Sequence, residues 1–112
     1  MDCIFCRIAK GDIPAQVAYQ DDKILAFHDL SPQAPVHLLI IPKKHIPTLL
    51  DITPEDAEVM GHLLSKVPQI AQEAGLEEGF RLVANCKEPA GQAVFHLHFH
   101  LLGKRQFSWP PG

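Results

Sequence analysis

The chain has 112 residues, 46% apolar and 21% charged, with a formal charge of −3. That is enough for one compact domain with a real core and too little for a second module. The slight acidity removes any broad pull toward nucleic acid or anionic lipid, so an anionic ligand has to be held by a local site. The longest apolar stretch, Val36 to Ile41, is too short to span a bilayer and contains His37. Met1-Asp2-Cys3 opens without the basic and apolar segments of a signal peptide. Three cysteines, Cys3, Cys6 and Cys86, make no disulfide framework, so the expected compartment is reducing and cytoplasmic.

In chain order, Cys3 to Lys10 reads as a short helix stopped at Gly11, with Ile4, Phe5 and Ile8 at helical spacing. Val17–Tyr19 and Ile24–His28 read as strands joined by a tight hairpin at Asp21-Asp22-Lys23. Prolines make Ser31–Pro35 a loop, and Val36–Ile41 is a buried strand ending at Pro42. A long helix starts at Thr53, with Pro54 at its first position and Glu55 and Asp56 on the N-terminal dipole. Its apolar stripe is Met60, Leu63, Leu64, Val67, Ala71 and Ala74, and Gly75 ends it. Pro68 should kink or loosen its last turns, and His62 falls off the stripe toward solvent. Phe80–Asn85 and Phe95–Leu102 complete the strands. The expected fold is α+β: an antiparallel five-stranded sheet with one long and one short helix.

The segment Phe95-His96-Leu97-His98-Phe99-His100-Leu101-Leu102 carries the chemistry. Histidines two apart share one face of a strand, while Leu97, Phe99 and Leu101 take the other. Such imidazoles can bind a metal, or they can divide phosphoryl transfer into attack, proton donation and tautomer control. Before them, Gly91 allows close backbone approach to a ligand, and Asn85 and Gln92 offer neutral amides, which together suit a phosphate.

His96-Leu97-His98-Phe99-His100-Leu101-Leu102 resembles the histidine-triad pattern. Asp29–His37, Ile41–Ile46 and Trp109-Pro110-Pro111-Gly112 resemble its Hint branch, in collinear order over nearly the whole chain. The resemblance implies a single domain over 1–112 that hydrolyses purine nucleoside 5′-phosphoramidates without needing a cofactor for catalysis. In it His98 is the nucleophile, His100 contacts the phosphate and assists the leaving group, and His37 and His96 orient and relay protons. Asn85, Gly91, Gln92, Ala93 and Val94 form the phosphate cradle. Ile4, Phe5, Ile8, Phe27, His28, Asp29 and Leu30 form the purine and ribose pocket, although Ile4, Phe5, Ile8 and Phe27 also fit a plain core. Trp109 corresponds to a terminal tryptophan near the partner's site in a homodimer whose sheets join. Structural zinc on Cys3, Cys6, His45 and His96 is implied in the same way, since one CxxC supplies only half of a tetrahedral site.

Two residues depart from that pattern. Ala93 stands where a hydroxyl residue is common, a loss worth about tenfold in rate if the bond forms only in the transition state. Lys104 replaces the second glycine of a Gly-Gly-Arg segment. Rival readings are a zinc hydrolase with His96, His98 and His100 as ligands, a nucleotide-binding module with little turnover, and a CxxC redox protein.

Overall fold

The computed structural model describes residues 2–112. Helix α1 spans Ile4–Ala9, with Cys3 as its cap rather than its first residue: the Cys3 Sγ accepts the Cys6 N–H at 3.3 Å. Strands β1 (Val17–Gln20), β2 (Ile24–His28) and β3 (Val36–Pro42) follow, then helix α2 (Ala57–Glu73) and strands β4 (Arg81–Val83) and β5 (Phe99–Gly103). The five strands form an antiparallel sheet in the order β1-β2-β3-β5-β4. Among the described residues no helix is long and apolar enough to cross a membrane.

β3 lies at the centre and is buried on both faces, which explains its unbroken apolar run. Its alternation sorts two cores. Leu38 and Ile40 join Ile24, Ala26 and Leu101 beneath α2, packed on Leu63, Val67, Ile70 and Ala71. Leu39 and Ile41 join Leu25 and Phe27 on the opposite face, under Cys3 and Phe5 at the start of α1. Fully burying each such Leu, Ile or Phe contributes roughly 1.5–3 kcal/mol. His37 is the polar residue in this run; it shares a face with Leu39 and so looks toward the α1 side.

Several elements differ from the sequence reading. Pro54–Asp56 forms a 3-10 turn, and α2 proper begins at Ala57. The Asp56 carboxylate ties this turn by accepting the Thr53 N–H at 3.0 Å and pairing with Lys44. α2 runs through Pro68 to Glu73, Ile70 is buried, and Leu64 is 50% exposed. Leu64 falls at the margin of the stripe, where a 3.6-residue period rotates it away from the sheet. Gly75 (φ 77°) closes α2, with the Leu76 N–H bonding Ala71 O at 2.9 Å. The predicted strand over 80–85 is paired only at Arg81–Val83. His62 is partly exposed, as its place off the stripe implies, but it also has a partner: its Nε2 lies 2.7 Å from Asp21 Oδ2, which accepts the Tyr19 hydroxyl at 2.8 Å.

Candidate active site

The histidine segment enters the sheet late. β5 begins at Phe99, and the residues before it leave the ladder because the Leu97 N–H bonds Ile46 O at 2.6 Å. His96 and His98 therefore precede the strand instead of lying in it with His100. Their spacing still aligns two rings, with His98 and His100 centroids 5.1 Å apart. The His96 ring turns to other partners.

Each ring has a neighbour that fixes its protons. His98 Nδ1 lies 2.7 Å from the backbone carbonyl of its near neighbour His96. A carbonyl only accepts, so Nδ1 carries the hydrogen and Nε2 keeps a lone pair. His96 Nε2 donates to Pro42 O at 2.7 Å, which leaves its Nδ1 as the lone-pair nitrogen. At His37 the logic is reversed. The Gln33 N–H donates to Nδ1 at 3.0 Å, so the neutral ring carries its hydrogen on Nε2 and donates to His100 Nδ1 at 2.9 Å. His100 is left with its own hydrogen on Nε2. Burial lowers the His37 pKa against the opposing charge of Asp29, 3.6 Å away. Burial, reinforced by His98 and His37, brings His100 down to about 4. Both rings are neutral at pH 7.

Phe5 packs its ring against this group, 5.1 Å from His98 and 5.5 Å from Phe27, edge to face in both cases. Beside it a cavity of about 270 Å3 is lined by Ile4, Phe5, Ile8, Phe27, His28, Asp29 and Leu30, together with Ile13 to Gln16 and Leu39. That volume is small for a drug-sized site and suits one flat ring system. Phe5 and Phe27 both line this cavity and belong to the core packed on Leu25, Leu39 and Ile41. Asp29 Oδ1 accepts the Ser31 N–H at 2.7 Å, leaving Oδ2 on the His37 side. Leu30 is fully exposed at the rim.

In the loop, Gly91 adopts φ 96°, which a side chain would disfavour, and closes a 3-10 turn at Glu88–Ala90. Gln92 is not free to grip a ligand. Its Oε1 accepts the Lys87 N–H at 2.7 Å, and its amide donates to Pro47 O at 2.8 Å and Val94 O at 3.0 Å. Both amide hydrogens are spent, so Gln92 shapes the loop that presents Ala93 and Val94. Asn85 follows β4, half-buried, and Trp109 is 85% exposed.

The last cluster joins distant parts of the chain. Cys3 Sγ lies 3.3 Å from His96 Nδ1, Cys6 Sγ lies 3.3 Å from His45 Nδ1, and the two Nδ1 atoms are 3.3 Å apart. All four donor atoms fall within 4.8 Å of one another. With its Nε2 on Pro42 and its Nδ1 here, His96 has no ring nitrogen left to relay a proton to His98; it orients His98 through its carbonyl. Among the described residues, His96, His98 and His100 do not form a common donor cluster, which removes the support for a triad-bound catalytic metal. The sequence reading missed the groups that fix tautomers: Gln33 N–H, Pro42 C=O and His96 C=O belong to the main chain and leave no side-chain signature.

The HIT domain matches residues 10–107 of this chain. An uncharacterized HIT-like protein of Synechocystis is 54% identical over 111 residues, 99% of this chain and 97% of the relative. The crystal structure of a HIT family hydrolase from Legionella pneumophila has a TM-score of 0.95 at 54% identity, covering 99% of this chain and 100% of that one. A histidine triad nucleotide-binding protein from Candida albicans gives 0.83 at 34% identity, covering 97% and 83%. With a matched domain over most of its length and each triad histidine given a partner, this chain belongs to the HIT domain family.

Proposed function

We propose that the protein hydrolyses purine nucleoside 5′-phosphoramidates or closely related nucleotide conjugates through a nucleotidyl–histidine intermediate, releasing AMP or GMP. The observation that carries this reading is the bond from His98 Nδ1 to the His96 carbonyl, which leaves Nε2 with its lone pair free for attack. The Legionella relative is a HIT family hydrolase and the Candida relative a histidine triad nucleotide-binding protein, which supports hydrolysis and a nucleotide together.

The purine occupies the cavity between α1 and β2, and Asp29 takes the ribose hydroxyls. The α-phosphate lies against Asn85 and the Ala93–Val94 backbone. His98 Nε2 attacks phosphorus and the P–N bond breaks. The departing amine needs a proton, which a neutral His100 cannot supply without becoming an anion. An anionic phosphate beside His100 favours its protonated form, so substrate binding brings the proton with it; the added hydrogen sits on Nδ1, and the His37 Nε2–H that bonded there turns to Asp29 Oδ2, 3.6 Å away. His100 gives that proton to the amine and later takes one from the water that releases the nucleotide from His98.

Cys3, Cys6, His45 and His96 fit structural zinc. Tetrahedral Zn–S and Zn–N bonds place donors roughly 3.3–3.8 Å apart, and the contacts here are 3.3–3.5 Å. Bound there, zinc would have four protein ligands and no open position, so it would tie α1 to the histidine segment and supply no hydrolytic water. A homodimer joined through the β4 edge completes the proposal. β4 is a three-residue outer strand with Phe80 exposed beside it.

The test is intact mass spectrometry of wild type and His98→Ala after brief incubation with adenosine 5′-phosphoramidate, with AMP release followed in parallel. An adenylyl adduct on wild type, lost with turnover in the variant, is expected. Turnover that survives in His98→Ala would overturn the reading.

A further inference from the structure

Helix α1 has few ties to the rest of the protein. It has six residues, well short of the roughly 12–15 at which a helix begins to persist alone in water. The backbone bonds of its segment stay local: Arg7 N–H to Cys3 O, Lys10 N–H to Cys6 O, Gly11 N–H to Ile8 O and Asp12 N–H to Arg7 O. The Arg7–Asp2 ion pair is local as well. Among the described residues, the polar links from this segment to the sheet and loops are Cys3 Sγ to His96 Nδ1, and Cys6 Sγ to His45 and His96. Apolar anchoring is equally narrow. Phe5 is the buried residue of the helix, while Ile4 is 49% exposed.

The same stretch also forms one wall of the cavity. Cys3 and Cys6 bracket Ile4 and Phe5, which both line it, and Phe5 also lies 5.1 Å from the His98 ring. The opposite wall includes Phe27 of β2 and Leu39 of β3. The pocket is therefore complete only while α1 is docked.

We propose that zinc and a purine nucleotide bind this protein cooperatively, with the docking of α1 as the element that both favour. Zinc on Cys3, Cys6, His45 and His96 would fasten the helix at its capped end, and the base fastens it from the cavity. Each ligand selects the docked helix, so each removes part of the ordering cost that the other meets. The coupling is reciprocal: the factor that zinc adds to nucleotide affinity is the factor that the nucleotide adds to zinc affinity. Zinc supply then sets how much nucleotide the protein holds. This deepens the reading above and rests on its nucleotide and zinc sites, but it requires no hydrolysis.

The experiment uses AMP, which has no P–N bond to lose. Calorimetry measures AMP affinity for zinc-loaded wild type and for protein stripped by a chelator that is then dialysed away. Competition with a chromogenic chelator measures zinc affinity with and without saturating AMP. Hydrogen exchange of the α1 amides reports docking in every state. Expected are AMP binding about tenfold tighter in the zinc form, zinc binding tighter by the same factor with AMP, and α1 exchange slowest with both. The Cys3→Ser, Cys6→Ser double variant, in which serine keeps the cap, should bind AMP as stripped wild type does, with or without zinc. AMP affinities within about twofold of each other in the two forms overturn the proposal, as does α1 exchange that zinc leaves unchanged. A zinc effect on AMP that survives in the double variant overturns it too, since zinc then acts elsewhere. Stripping that speeds exchange throughout the sheet would make zinc a global stabiliser and likewise overturns it. Wild type that takes up no zinc or no AMP overturns the proposal together with the reading of that site. If both bind but independently, the linkage alone falls.

Discussion

The imidazole of His98 hydrogen-bonds the main-chain oxygen of His96, two residues earlier, at 2.7 Å. The chain thereby sets the tautomer of the His98 ring with an atom that no substitution at position 96 can delete. Two consequences can be measured. Long-range 1H–15N spectra should place the His98 hydrogen on Nδ1, and any adduct trapped from a phosphoramidate should be linked through Nε2. An Nδ1-linked adduct would contradict this tautomer.

His100 predicts proton uptake. In the free protein its pKa is lowered to about 4, chiefly by burial. Calorimetric titration with a non-hydrolysable adenosine phosphoramidate analogue at pH 7, repeated in buffers of different ionisation enthalpy, should show a net gain of up to about one proton. The gain should vanish in His100→Asn. No proton uptake in wild type would remove the proposed source of the leaving-group proton.

The same burial makes a stability prediction with a definite sign. His37 and His100 both have lowered pKa values, so between their folded values and about 6.5 the unfolded chain binds more protons. Stability therefore rises with pH across that window and is lost as pH falls from about 6.5 toward 4. Chemical denaturation at a series of pH values should show this slope, and His100→Asn should flatten it.

Asp21 concerns stability alone. Burial pushes its pKa up, but the bonds from His62, the Lys23 and Ile24 N–H groups and the Tyr19 hydroxyl outweigh that and hold it well below the usual carboxylate range. Asp21→Ala should cost roughly 1–3 kcal/mol in urea unfolding, leaving kcat and KM near wild type. This contribution is complete above the ordinary aspartate value near 3.9 and is lost progressively as pH falls below it toward the lowered folded value.

Zinc gives a stoichiometric prediction. Native mass spectrometry or elemental analysis of protein prepared with zinc should find one metal per chain. Cys6→Ser should lower that occupancy and also loosen α1, since Cys3 and Cys6 belong to both. Wild type that takes up no zinc would leave the cluster as four hydrogen-bonded side chains.

The sequence disclosed the parts of the site whose signal lies in side-chain order. Alternation of His37 with Val36 and Leu38 in β3, and of His98 with Phe99 and His100, specifies which rings share a face. It could not show that the ladder starts only at Phe99, because the Leu97–Ile46 bond spans 51 positions and involves two peptide groups. Gln92 carries the same lesson, since an amide in a glycine loop reads as a ligand donor until its two acceptors are seen. The partner of His62 could not be read either, because Asp21 is 41 residues away.

Gly103 ends β5 where the side chain of Leu76 lies against it, and a Cβ at that position would run into Leu76. Lys104 then takes φ 70°, a left-handed conformation that costs an L-residue roughly 1–2 kcal/mol. Leu76 is also the residue that follows the terminal turn of α2. The end of the helix, the end of the sheet and the start of the C-terminal segment, from which Arg105 donates to the Gln33 backbone oxygen at 3.0 Å, thus meet at one contact. A single insertion in α2 would swing Leu76 by about 100° and carry that segment with it. The length of α2 is thereby locked to the geometry of the site, and homologous chains that change it should have to change residues 103–107 as well.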